Sequence, residues 1–207
     1  MDATQVTVRE VRSVGTDTVA LELETPDGFD AKPGQFVLLR GTVDGEEVSR
    51  HYTLSSPDVE DTFEITVGVD PDGDLSPWLA DLDAGDEVSV EGPFGTVFYE
   101  DEDVVLLAGG PGVGPAVGMG ERALADGHDI AIVYQDDSPA HEERLAELSA
   151  GGATVVITDG NLDEAVAEVA GGGQVYVFGF REFADDSLAA VEAAGGDPYD
   201  AKVENFG

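Results

Sequence analysis

Over the first hundred residues, apolar side chains alternate with polar ones: Val6 and Val8, then Val19, Leu21 and Leu23, then Phe36 and Leu38, Phe63, Ile65 and Val67, and Val88 and Val90. A period of two sends every second side chain to one face, which predicts half-buried strands. Turn chemistry separates them at short intervals, as in Thr25-Pro26-Asp27-Gly28, Lys32-Pro33-Gly34, Val43-Asp44-Gly45 and Asp70-Pro71-Asp72-Gly73. At least six short strands with such turns predict an antiparallel β-barrel over residues 1–102. One stretch departs from the pattern: Ser76-Pro77-Trp78-Leu79-Ala80-Asp81-Leu82 reads as a short helix, with Ser76 as its cap and Pro77 at its first position. The N-terminus of such a helix presents free amides to an anion.

After Asp103 the rhythm changes to fully apolar strands alternating with helices. Strands are predicted at 104–108, 130–134, 154–158 and 175–178, with a short last one around Val203. Helices are predicted at 115–126 (ending at Gly127), from Pro139 under a Ser138 cap, at 162–170 and at 185–194. Continuous apolar strands between helices predict a parallel sheet covered on both faces, an α/β Rossmann-like unit over residues 103–207. There is no repeat or long linker, so the two units are expected to pack closely, with the join near residues 100–103.

Charge narrows the function. The 45 Asp and Glu against 9 Lys and Arg give a formal net charge of −36 over 207 residues. A nucleic-acid partner would need a basic footprint, so nucleic acid is excluded, and an anionic membrane surface is disfavoured on the same ground. So many carboxylates repel one another at low ionic strength, whereas at about 1 M salt the screening length falls to roughly 3 Å. A halophile's cytoplasm is therefore expected, and the presence of only two lysines, Lys32 and Lys202, fits it. The chain has no cysteine, so it can hold neither a cysteine-ligated cluster nor a thiolate zinc site. His141-Glu142-Glu143 has no second histidine at zinc spacing and reads as a solvated first helical turn; no metal site is expected. The N-terminal MDATQVTVRE lacks the basic start and apolar run of a signal peptide, and no membrane insertion is expected.

Three stretches carry candidate chemistry. Gly109-Gly110-Pro111-Gly112-Val113-Gly114-Pro115 follows the first strand of the second unit and opens a helix. Glycines there permit either a dinucleotide's close approach or simply a tight strand-to-helix turn. The next strand runs into Asp136, at the distance where dinucleotide folds place a carboxylate on the adenosine ribose; an acid there favours NADH over NADPH. In the barrel, Arg50-His51-Tyr52-Thr53-Leu54-Ser55-Ser56-Pro57 gathers one of seven arginines, an aromatic ring and three hydroxyls in eight residues. That set suits an anionic, aromatic ligand.

Arg50-x-Tyr52-Thr53 resembles the first flavin motif of the ferredoxin–NADP reductase superfamily, and Gly73-Asp74-Leu75-Ser76 resembles its second. Gly92-Pro93-Phe94-Gly95, the Gly109–Pro115 loop and Glu204-Asn205-Phe206 are similar to three further family motifs, in family order. The resemblance implies FAD, a nicotinamide dinucleotide (NADH or NADPH) and an electron partner such as ferredoxin. It assigns Arg50 to the FAD pyrophosphate, Tyr52 to stacking on the isoalloxazine and Thr53 to the vicinity of flavin N5. His51 falls within the same motif, and Gly73, Leu75 and Ser76 are assigned to the flavin phosphates. Gly110, Gly112, Val113 and Gly114 would line the dinucleotide, and Thr53 and Glu204 would flank the reacting rings. Two departures stand out: Phe178-Gly179-Phe180 where many relatives have Cys-Gly-Pro, and Pro111 where many have threonine. Other roles open to the same residues are an electron-transfer flavoprotein subunit of a larger complex and a non-catalytic flavin or nucleotide sensor.

Overall fold

The structure, a computed structural model, describes residues 3–207; Met1 and Asp2, with which the 1–102 unit and the MDATQVTVRE stretch begin, lie outside the described residues. The first half forms strands β1 (Thr4–Gly15), β2 (Thr18–Glu24), β3 (Phe36–Val43), β4 (Glu46–Thr53), β5 (Thr62–Gly68) and β6 (Glu87–Phe94), with helix α1 (Leu75–Ala80) between β5 and β6. They make one antiparallel sheet in the order β4-β3-β6-β1-β2-β5. A bridge between Leu54 and Ile65 brings the two edges together, so the sheet curls into a barrel. Inside it Val6, Val8, Leu21, Leu23, Phe63, Ile65 and Val67 share one core with Val88 and Val90.

On β3 the phase is opposite to the expected one. Val37 and Leu39 are fully buried, while Phe36 and Leu38 are half-buried on the other face. The run Phe36-Val37-Leu38-Leu39 is apolar at every position, so alternation cannot choose a face and the β3–β4 and β3–β6 pairings decide it. Nor does Ser76 cap α1. Asp74 occupies that position, Ser76 lies inside the helix, and its hydroxyl accepts the Asp70 N–H at 3.1 Å, closing the preceding turn.

The second half places five parallel strands in the order β11-β10-β7-β8-β9: β7 (Val104–Gly109), β8 (Ile130–Gln135), β9 (Thr154–Thr158), β10 (Gln174–Gly179) and β11 (Lys202–Asn205). Helices α2 (Val113–Asp126) and α3 (Glu142–Ala150) cover the face that carries Val104, Leu106 and Ala108. Helices α4 (Leu162–Val169) and α5 (Arg181–Ala193) cover Val105 and Leu107 on the other. The chain leaves β7 toward β8 and later returns to its other side as β10. The carboxyl ends of β7 and β10 thus flank the switch point where open α/β sheets form their ligand crevice.

Helix α3 corrects two further expectations. It starts at Glu142 rather than under a Ser138 cap, and the Ser138 N–H instead donates to Asp136 Oδ1 at 2.8 Å. His141, expected in a solvated turn, is 3% exposed and sits at the N-cap with φ of 54°.

Candidate functional site

A cavity of about 320 Å³ opens where the barrel meets the switch point of the parallel sheet. Its barrel wall carries Arg50, His51, Tyr52 and Thr53 from the end of β4, Thr66 and Gly68 from β5, and Asp70, Gly73, Asp74, Leu75 and Ser76 around the start of α1. The opposite wall is Pro111, Pro115, Phe180 and Phe206. Residues far apart in sequence meet here because the end of β4 bridges to the middle of β5 at Leu54–Ile65, and β5 packs beside the start of α2.

The polar groups of the barrel wall differ in how far the protein already uses them. Arg50 donates to the Ser49 carbonyl at 2.8 Å and makes no ion pair with a carboxylate among the described residues. Against so many acids, a guanidinium left without a carboxylate is available to an anion. The Tyr52 ring is half-buried against the barrel core, and burial pushes its phenol up to about 12, so it stays neutral. His51 is exposed, with its ring edge-on to Phe36 at 5.1 Å. Thr53 is buried, 8% exposed. The Leu75 side chain belongs to the barrel core, so only its backbone is available to a ligand. Ser76 Oγ, which already accepts from Asp70, retains a proton to donate. Gly73 closes the turn with its N–H on the Asp70 carbonyl at 3.0 Å. The wall also carries two carboxylates, Asp70 and Asp74.

The glycine loop divides into two groups. Gly110, with φ of 55° and open space where a Cβ would stand, is unencumbered beside Pro111. Gly112 and Gly114 are packed: a Cβ on Gly112 would overlap the Phe178 carbonyl oxygen, and one on Gly114 would overlap the Thr66 hydroxyl. The Val113 side chain is fully buried in the α/β core. Those three positions therefore seat α2 against β10 and β5, and a ligand would meet only their backbone.

Beyond β8, both oxygens of Asp136 are engaged, Oδ2 by the Tyr134 hydroxyl at 3.0 Å and Oδ1 by the Ser138 N–H at 2.8 Å. On β11, Glu204 lies in register with Phe178 and is half-buried, and burial pushes its carboxyl up to about 7. It does not line the cavity; Phe206, two residues on, does, edge-on to Phe180 with centroids 5.9 Å apart and planes at 87°. Phe178, at the position where many relatives carry cysteine, is fully buried and stacks on Tyr176, whereas Phe180 is 55% exposed. Thr66 and Gly68 were not visible as site residues in the sequence. Thr66 falls on the polar phase of β5, and nothing local shows that a second unit covers that phase.

The donor set fits a flavin dinucleotide: one unpaired guanidinium, two hydroxyls and a glycine turn for phosphates, and a neutral phenol and an apolar wall for a flat ring. Residues 4–99 match the family model of the oxidoreductase FAD-binding domain. Over that stretch the chain is similar to ferredoxin reductase-like FAD-binding oxidoreductases. Among relatives, the glycine betaine monooxygenase reductase subunit of Chromohalobacter salexigens is 44% identical over 107 residues, covering 49% of this chain and 29% of that protein. The ferredoxin reductase component of a 3-ketosteroid-9-alpha-monooxygenase from Mycolicibacterium smegmatis is 33% identical over 162 residues, 70% of this chain and 46% of its own. The chain thus spans less than half the length of these curated relatives. A solved cytochrome P450 reductase from Amycolatopsis superposes with a TM-score of 0.83 at 25% identity, over 99% of this chain and 70% of that one. The FAD/NAD binding domain of a Vibrio cholerae nitric oxide dioxygenase, at 22% identity, shares the fold with a TM-score of 0.82 over the whole of both chains.

Proposed function

We propose that this chain is an FAD-dependent reductase that takes hydride from a nicotinamide dinucleotide, NADH in preference to NADPH, and delivers electrons to a separate carrier such as ferredoxin or an oxygenase component. The observation that carries this reading is the meeting of Arg50, Tyr52 and Thr53 with Pro111 and Phe180 across one cavity at the switch point of the parallel sheet. The working division is a flavin unit through residue 102 and a dinucleotide unit from 103, in the cytoplasm of a cell with high internal salt.

Bound FAD supplies the redox chemistry, accepting a hydride as a pair and releasing electrons singly or together. In this reading the chain's own residues set position and charge. Arg50 neutralises the pyrophosphate, with Ser76 and the turn at Gly73 donating beside it. Tyr52 flanks the flat ring as a neutral phenol, and Thr53 donates near the reacting edge. Pro111 and Phe180 exclude water from the far side and narrow the space left for a nicotinamide. Glu204, with its carboxyl raised to about 7, holds a proton through mildly acidic conditions. Asp136 and Asp137 place negative charge where NADPH would bring its additional phosphate.

The test is anaerobic absorbance of the FAD-loaded protein at about 2 M KCl, where screening is short-ranged. NADH should bleach the flavin band faster than NADPH does. Bound flavin that neither nucleotide bleaches would support the sensor, and failure to bind FAD would remove the reading altogether.

A further inference from the structure

His141 is buried between the two units. Its backbone N–H donates to the carbonyl of Val14, near the end of strand β1, at 2.8 Å, and its ring Nε2 lies 2.8 Å from Thr66 Oγ1 on β5. Its Nδ1 is buried without a hydrogen-bond partner. A neutral imidazole has one donor and one acceptor nitrogen, and an orphaned buried N–H is rarer than an orphaned acceptor. The proton therefore belongs on Nε2, which donates to Thr66. Burial, together with the guanidinium groups of Arg144 and Arg12, pushes the ring down to about 3, so it stays neutral. The backbone φ of 54° is left-handed for a residue with a Cβ. Such a conformation persists only where its surroundings over-determine it.

Thr66 is a three-way contact. It lines the cavity, accepts from His141, and meets the Cα of Gly114 so closely that a methyl there would overlap its hydroxyl. One turn along α3, Arg144 binds Glu64 at 2.9 Å, the Ser55 carbonyl at 2.8 Å and Glu121 at 2.7 Å. Arg12 pairs with the other oxygen of Glu64. The segment just after β4, at Ser55, and Glu64 on β5 are thereby held by α3, whose N-cap residue His141 holds Thr66.

We propose that His141 is a positioning residue: by fixing Thr66 against Gly114, it sets the first turn of the dinucleotide helix relative to the flavin strand, and so the separation of the two rings, without touching either. This rests on the reductase reading. Small displacements of reacting groups reduce rates steeply, while binding contacts remote from the joint are left in place.

The test compares H141F, which keeps a ring and loses the donor, with H141Q, whose amide nitrogen can reach Thr66 as Nε2 does, all in the full chain. In stopped-flow with saturating NADH, flavin bleaching should slow about tenfold or more in H141F, with FAD affinity changed by less than about twofold, and H141Q should recover most of the rate. In the apoprotein, amide exchange over residues 113–117 should accelerate in H141F and return toward wild type in H141Q. Wild-type bleaching and exchange in H141F would overturn the proposal, as would a loss that follows FAD affinity and is equal in H141Q. If neither nucleotide bleaches the wild type, the reductase reading fails and amide exchange alone decides whether the joint exists. Should H141F not fold, T66V against T66S makes the same comparison.

Discussion

The barrel wall of the cleft presents polar side chains on a strand end and a turn, Arg50, Tyr52, Thr53 and Ser76, whereas the α/β wall presents two prolines and two phenylalanines, with the packed glycines of the loop behind them. Recognition on the first wall lies in functional groups, so exchanging a single residue removes a contact outright. On the second it lies in shape and backbone approach, and its glycines serve chain packing as much as any ligand. Mutations should therefore separate into losses of affinity on one side and losses of structure on the other.

The strongest expected effect is on the packed side. Gly112→Val drives a side chain into the Phe178 carbonyl and should destabilise the fold by about 3 kcal/mol or more, lowering the melting midpoint by roughly 6 °C or more in calorimetry. An unchanged midpoint with lost dinucleotide binding would erase the contrast between the walls. Next, Arg50→Ala should weaken FAD by about ten- to a hundredfold in a fluorescence titration while leaving the melting midpoint of the apoprotein near wild type. A collapse of the apoprotein instead would show that the barrel wall is structural too.

Glu204 gives a pH-dependent test. Its carboxyl titrates near 7 in the fold against an ordinary 4.5. Between those values the unfolded chain sheds the proton that the fold keeps, so this residue's contribution to stability falls as pH rises through the window and levels off above it. The melting midpoint of wild type, referenced to Glu204→Gln, should decline between pH 5 and 8; a flat difference would place the carboxyl in water. The smallest effect is expected at Asp136. Replacing it with serine should narrow the NADH preference in KM by about fivefold, the scale of one exposed charge interaction.

Much of this was legible in the sequence, for reasons that also explain the failures. The inward residues of β1, β2, β5 and β6 could be read because polar neighbours separate them; on β3 four consecutive apolar residues removed that signal, and strand pairing selected Val37 and Leu39. The strands of the parallel sheet stood out as unbroken apolar runs, as in Val104–Gly109. Serine before a helical stretch suggested caps at Ser76 and Ser138, yet in each case a nearby turn uses the residue instead. His141 was hidden by its own neighbours. Glu142, Glu143 and Arg144 look like a solvated turn, but β5 holds both the histidine, through Thr66, and Arg144, through Glu64, contacts that span 75 and 80 residues of sequence. No local pattern carries information of that range.

The two lysines have a consequence of a different kind. Lys32 lies over the Phe98 ring at 4.4 Å, and Lys202 pairs with Glu100 at 2.6 Å and Glu102 at 2.9 Å, so both side-chain amines of the sequence grip the segment that joins the two sheets. Lys32 is exposed and takes up an amine-reactive reagent in the closed protein, whereas Lys202 is half-buried. The labelling rate at Lys202 relative to Lys32, followed by mass spectrometry of the digested chain, becomes a clock for how often the halves part.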